Sequence, residues 1–310
     1  IINLLTPNYQ LLLMSHHYFR NLLYLLLMMG IMPLTAQVAI NFNLGQRGPE
    51  ISDTHYGIFY EEINHAGDGG LYAELIRNRS FEDNTSNPDY WSVNGSASMA
   101  LTSSDLMNSA QKEALQVTFI GSGSGIRNAG YWGISFLKDS TYTLTFWAKA
   151  NSNEYNGSLT ARLLSSLGSN CGTVTINGPF STSWTKYTAT IVPTRTITGG
   201  MFGLTASISG SMTFDMISLF PPTFKGHANG CRIDLAQKLA DLNPGFIRFP
   251  GGCYIEGQYS NGLTNRFEWK KSIGPIETRP GHQNVNWGYR VTDGMGYHEF
   301  LQLCEDLHAK

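Results

Sequence analysis

Charge is scarce in this sequence. Asp, Glu, Lys and Arg make up 14% of the residues, 23 acidic against 21 basic, for a net charge of −2. No basic tract occurs, which argues against nucleic acid as a partner. Cysteine is as sparse: Cys171, Cys231, Cys253 and Cys304 stand far apart and match no zinc spacing. A chain of 310 residues buries a sizeable core without disulfides. A long apolar run is also missing. The stretch Leu22–Leu34 is shorter than the ~20 residues of a spanning helix. Gly30 and Pro33 interrupt it, so no stable membrane span is expected. That run follows Met14 and Arg20 and ends at Thr35-Ala36, the layout of a secretory signal cleaved after Ala36. Residues 1–36 are therefore read as upstream sequence plus signal, and the mature protein as secreted or periplasmic.

What is plentiful is Gly, Ser, Thr and Asn, a balance that suits a strand-rich exported protein. After the signal, "VAINFNLG" reads as one short strand, and Tyr56–Glu61 as another. From about Ser80 to Phe220 the chain alternates in short segments broken by Gly, Ser and Asn. In "YTLTFWAKA", Tyr142, Leu144, Phe146 and Ala148 point one way while Trp147 points the other. Such strands at short intervals predict a β-sandwich. After Pro221-Pro222 the texture changes. "RIDLAQKLADLNP" carries Ile233, Ala236, Leu239, Ala240 and Leu242 at helical spacing. "FIRFPGG" reads as a strand buried on both faces, Tyr254–Met295 as a long loop, and "YHEFLQLCEDLHA" as a second amphipathic helix. In that helix Tyr297, Phe300, Leu301, Cys304 and Leu307 share one face. The order is β, inserted sandwich, α, β, α.

Three motifs carry chemistry. Glu61 and Glu62 are adjacent in "GIFYEE", and neighbouring strand residues point to opposite faces. At most one of them enters a shared pocket; the other is expected to be solvated or paired with Arg77 or Arg79. In "RFPGGC", Gly251-Gly252 permits close approach to the backbone. Cys253 then either opens into a pocket mouth or is a buried thiol. Trp287 and Asp293 lie in the long loop, where Trp287 either lines a pocket rim or packs beneath its own loop.

The stretch "GIFYEEINHAGDGGLYAELIRNRSFE" closely resembles the opening of the family-51 glycoside hydrolases, the α-L-arabinofuranosidases with an inserted carbohydrate-binding-like module. "GFIRFPGGCYIEG", "SIGPIETRPG" and "TDGMGYHEFLQLCEDL" are similar to the same family in the same order. The resemblance implies an α/β plus all-β fold, the N-terminal part of a (β/α)8 TIM barrel with an inserted β-sandwich of galactose-binding-like jelly-roll type. The implied organisation is 37–50 as a strand of an accessory sandwich, 51–79 as the first barrel strand, 80–220 as the inserted module, and 221–310 as helix, strand, loop and helix. It implies retaining release of terminal arabinofuranosyl groups from arabinoxylan or arabinan, with no cofactor or metal. Both catalytic glutamates would lie beyond Lys310, on barrel strands this chain does not hold. Glu61, Gly252, Cys253 and Trp287 would form the arabinose-binding wall, two glycines leaving room for the furanose. A non-catalytic carbohydrate-binding protein is the competing reading.

Overall fold

Apolar alternation needs a partner strand before it becomes a sheet, and the chain supplies partners unevenly. A computed structural model describes residues 8–29, 38–258 and 265–310. They fall into two units, Ile1–Glu50 and Ile51–Lys310. In the first, helix α1 spans Asn8–Met29 and takes up much of the expected signal run. The Thr35–Gln37 junction lies outside the described residues. Among those described, no helix is long and apolar enough to cross a membrane. The strand expected from "VAINFNLG" is not formed: residues 38–43 are irregular, with Val38, Ile40 and Phe42 exposed. A strand exists only as half of a hydrogen-bonded pair, and this segment pairs with no strand among the described residues.

In the second unit, β1 is Ile58–Phe59. The sandwich strands follow: β2 (Trp91–Asn94), β3 (Ala97–Thr102), β4 (Ala114–Phe119), β5 (Gly125–Asn128), β6 (Ile134–Phe136) and β7 (Tyr142–Ala150). Then come β8 (Ser158–Leu164), β9 (Asn170–Asn177), β10 (Thr185–Ile191), β11 (Ile197–Ala206) and β12 (Gly210–Phe220). One sheet has the order β10-β7-β12-β4-β3; the other runs β2-β5-β11-β8-β9, with β6 also on β11. Tyr142, Leu144, Phe146 and Ala148 of β7 meet Leu159, Ala161, Phe202 and Leu204 of the facing sheet in one core. Trp147 lies on the other face, half-buried between Lys186 of β10 and Asp215 of β12.

The remainder is an α/β unit. Strand β1 pairs in parallel with β13 (Ile247–Arg248), Ile58 opposite Ile247. The expected Tyr56–Glu61 strand is thus short, but Tyr60 N–H to Arg248 O (2.9 Å) and Glu62 N–H to Pro250 O (3.0 Å) carry the pairing to the turn. Helices α2 (Ile233–Asp241) and α4 (Tyr297–Asp306) cover one face, where Ala236, Phe300, Leu303, Cys304 and Leu307 pack with Ile247, Ile58 and Tyr60. The other face is open: Phe59 is 53% exposed, with the Arg248 guanidinium 4.9 Å from its ring centre. "FIRFPGG" is therefore buried on one face rather than two, because helices cover only one side. Ile233, Leu242 and Leu301, expected in the core, are exposed. A short helix against a two-strand sheet buries only a narrow stripe. The long loop has structure of its own: a turn of helix α3 (Cys253–Glu256) and a hairpin of β14 (His282–Asn284) and β15 (Tyr289–Val291). Arg279 organises it, pairing with Glu299 at 2.9 Å and donating to the Asp293 and Gly294 carbonyls, both at 3.0 Å.

The sandwich enters and leaves the α/β unit through a narrow neck. Ala73 N–H donates to Gly230 O and Leu75 N–H to Leu219 O, each at 3.1 Å. Glu74 sits buried between the two crossings. Its Oε1 accepts Ile76 N–H (2.9 Å) and Leu219 N–H (3.0 Å); its Oε2 accepts the Ser218 hydroxyl (2.5 Å) and Arg79 Nη1 (3.2 Å). Arg79 is equally buried and also donates to Tyr72 Oη at 2.8 Å. Removing one partner of a buried ion pair leaves the other charge uncompensated. Glu74→Ala is expected to lower unfolding free energy by about 3–5 kcal/mol, measured by urea denaturation of the chain; a loss under about 1 kcal/mol, the size of a surface pair, would refute this role.

Candidate functional site

The parallel pair β1 and β13 ends in two features side by side: the carboxylates of Glu61-Glu62 and the turn Pro250-Gly251-Gly252. The strand's two-residue period separates the carboxylates. Glu61 follows Phe59 onto the open face and Glu62 follows Tyr60 toward the interior. Gly251 has φ +146°, and a Cβ there would stand 2.5 Å from Glu61 Cγ. Its glycine therefore makes room for Glu61 itself, not for a ligand as the sequence suggested. A Cβ on Gly252 would lie 3.7 Å from both Glu61 carboxylate oxygens. That is ordinary contact distance, so no protein atom forbids a side chain there. Gly252 instead leaves the space beside the Glu61 carboxylate open.

Glu61 is half-buried, and its Oε1 accepts Tyr254 N–H at 3.1 Å. That bond fixes the carboxylate against the first turn of α3. Cys253, at the start of α3, is exposed, which removes the buried-thiol reading. All four cysteines are free thiols. Trp287 is 39% exposed in the turn between β14 and β15, with its backbone N–H held by Asn284 Oδ1 at 3.2 Å. The neighbouring Asn286 Nδ2 donates to the Cys253 carbonyl at 2.6 Å, tying this turn to α3. Glu61, Gly252 and Cys253 thus gather at one strand end, and Trp287 reaches them through Asn286. Asp293 is buried and accepts from His282 Nδ1 at 3.0 Å, supporting the hairpin rather than opening to solvent.

Glu62 is neither solvated nor paired with Arg77 or Arg79. It is buried, with Tyr60 Oη donating to Oε2 at 3.1 Å and Tyr289 Oη to Oε1 at 2.9 Å. Tyr289 Oη in turn accepts His65 N–H at 2.9 Å, and Asn284 Nδ2 donates to the Glu62 carbonyl at 2.9 Å. Both strands of the hairpin are thereby anchored on the segment that follows β1. Asp68 adds a third anchor, accepting Thr292 N–H (2.6 Å) and its hydroxyl (2.8 Å). Burial, then the nearby Asp68 charge, pushes the Glu62 carboxyl up to about 8. Sequence reasoning missed Tyr60, Asn284 and Tyr289. Tyr289 lies 227 positions from Glu62, and only Gly288, at φ +75° in the hairpin turn, gave a local signal.

A carboxyl whose folded value exceeds its unfolded one binds more protons in the folded state between the two values, so stability falls as pH rises through that window. For Glu62 the window runs from its ordinary 4.5 to about 8. Wild type is expected to lose thermal stability from pH 5 to pH 9, and Glu62→Gln, which cannot ionise, to lose distinctly less. Parallel slopes of Tm against pH for the two proteins would overturn the buried-carboxyl assignment.

Comparison with known proteins places these features. Residues 238–310 match the family described as "Alpha-L-arabinofuranosidase 1 domain", and residues 73–207 match "Carbohydrate binding domain". An extracellular exo-α-L-arabinofuranosidase of Streptomyces chartreusis is 37% identical over 87% of this chain and 33% of its own length. Alpha-L-arabinofuranosidase 1 of Arabidopsis thaliana is 37% identical over 84% of this chain and 40% of its own. The solved structure of an arabinose-bound GH51 α-L-arabinofuranosidase superposes with a TM-score of 0.77 at 34% identity, covering 83% of this chain and 43% of that one. The chain spans about a third to two-fifths of the length of these curated relatives. Over most of its own length, the chain is homologous to the α-L-arabinofuranosidases of glycoside hydrolase family 51.

Proposed function

We propose that this chain forms the arabinose-binding wall of an exported, exo-acting, retaining α-L-arabinofuranosidase that releases terminal arabinofuranosyl groups from arabinoxylan or arabinan. One observation carries the reading: Glu61 stands at the C-terminal end of a parallel β/α strand, on the open face, beside the space that Gly252 leaves empty. In a (β/α)8 barrel, chemistry gathers at that end of the strands. The first two strands of such a barrel, with a carbohydrate-binding-like jelly roll inserted between them, are the architecture that fits this order of elements.

Glu61 has one oxygen held by Tyr254 N–H and remaining acceptor capacity for sugar hydroxyls. Hydrogen bonds to a carboxylate are charge-assisted and stronger than neutral ones. They act on the rate where they tighten as the ring flattens toward an oxocarbenium-like transition state. Cys253 and Trp287 complete the wall. Retaining hydrolysis needs two carboxyl groups about 5–5.5 Å apart, one acid/base and one nucleophile. Glu62 does not serve, since both its oxygens are taken by tyrosine hydroxyls in the interior. The catalytic pair belongs, in this reading, to barrel strands outside these 310 residues.

The 310-residue chain alone is then expected to leave an aryl arabinofuranoside unhydrolysed. In the full-length protein that carries it, Glu61→Gln should lower kcat/KM at least about tenfold, or roughly 1.4 kcal/mol of transition-state stabilisation. Kinetics with thermal melts test this; unchanged kcat/KM in folded Glu61→Gln removes Glu61 from the wall.

A further inference from the structure

A polar cavity of about 360 Å³ lies where the sandwich meets the β14–β15 hairpin. That size falls within the roughly 300–1,000 Å³ of small-molecule sites. Arg77, Asp83, Asp89 and Tyr90 line it from the segment leading into the sandwich, Tyr131 from the sandwich itself, and Gln283 and Trp287 from the hairpin. We propose that this seam is a second glycan site, binding a neutral glycosyl unit of an oligosaccharide.

Charge selects the ligand class. Arg290 is already paired with Glu82, and Arg77 shares the lining with Asp83 and Asp89, so no excess positive charge favours an anion. Aromatic groups supply apolar surface. Tyr90 remains 45% exposed although the Arg77 guanidinium covers one face of its ring at 3.7 Å. Trp287 stands partly exposed at the rim. A sugar presents apolar C–H faces to such rings and hydroxyls to amides and carboxylates. Asn64 and Gln283 line the cavity and are exposed. His65 Nδ1 and Arg290 Nε, on two further lining residues, are buried without a hydrogen-bond partner, an arrangement native structures seldom tolerate without a role.

The seam is built as a preorganised site. Arg290 pairs with Glu82 at 2.6 Å across it. Gln111 Nε2 donates to the carbonyls of Glu277 (2.9 Å) and Arg279 (3.2 Å), and Asn108 Nδ2 to Glu277 O (2.8 Å). The Arg290 pair ties the sandwich to the hairpin, and the Asn108 and Gln111 bonds tie it to residues 277–279 just before the hairpin, so the lining is in place before a ligand arrives. Trp287 belongs to both the seam and the proposed arabinose wall. A glycan held at the seam would therefore lie close to the strand ends where Glu61 stands.

The choice of oligosaccharide rests on the arabinofuranosidase reading; the cavity does not. The test is calorimetric titration of the full chain with xylotetraose and with 1,5-linked arabinotetraose, using glucuronate and inorganic phosphate as charged controls. One neutral oligosaccharide should bind. Tyr90→Ala and Gln283→Trp, the second filling the cavity from an exposed hairpin position, should each weaken it at least about fivefold, the scale of one aromatic contact. Glu61→Gln should retain the affinity. Thermal melts and circular dichroism establish that each variant is folded. No binding, or equal affinity in wild type and both seam variants, overturns the seam site and leaves the Glu61 kinetics standing. Loss in Glu61→Gln alone relocates binding to the strand ends and also overturns it. Stronger binding of glucuronate or phosphate overturns the neutral chemistry.

Discussion

The structure depends on one buried carboxylate. Glu74 accepts four hydrogen bonds, from both chain crossings at the neck and from Arg79. Burial drives its carboxyl up, and Arg79, followed by those hydrogen bonds, opposes that shift. An ion so deeply buried is tolerable only when its remaining acceptor sites are filled. The arrangement therefore specifies a single path for the backbone through the neck. That path sets where the sandwich hangs, which in turn places Glu82 against the hairpin, and Asn108 and Gln111 against the turn that leads into it. The hairpin then presents Trp287.

Much of the fold is legible from side-chain period alone. The inward set of β7 follows from alternation in "YTLTFWAKA", and α2 and α4 follow from helical spacing. The failures share a cause. "VAINFNLG" has the right alternation, but alternation describes a surface and not a partner. "FIRFPGG" is apolar enough for two buried faces, yet how many faces are covered depends on neighbours that the strand's own residues do not encode. Ile233, Leu242 and Leu301 were misplaced because a hydrophobic stripe states a preference for burial, and packing area decides which members of the stripe obtain it.

At the site, the opposite directions of Glu61 and Glu62 follow from strand geometry and were readable. The fate of Glu62 was not. Its partners Tyr60 and Tyr289 come from the same strand and from a hairpin more than two hundred residues on, a distance no local pattern bridges. The two glycines show the same limit. The sequence says that a Cβ is unwelcome at Gly251, and only the fold brings Glu61 Cγ to the place that Cβ would take.

The neck has one more consequence. Where a module enters and leaves through neighbouring, mutually bonded chain segments, its ends are already close, and joining them directly costs little loop-closure entropy. Leu75 and Leu219 stand in that relation. Topologically the sandwich can be gained, lost or exchanged in one event without rethreading the α/β unit. What such an exchange would not preserve is the grip of Glu82 on the hairpin and of Asn108 and Gln111 on the turn before it. The module is easy to detach as a piece of chain and hard to replace as a structural support, so those contacts, more than the fold that carries them, tie this sandwich to this host.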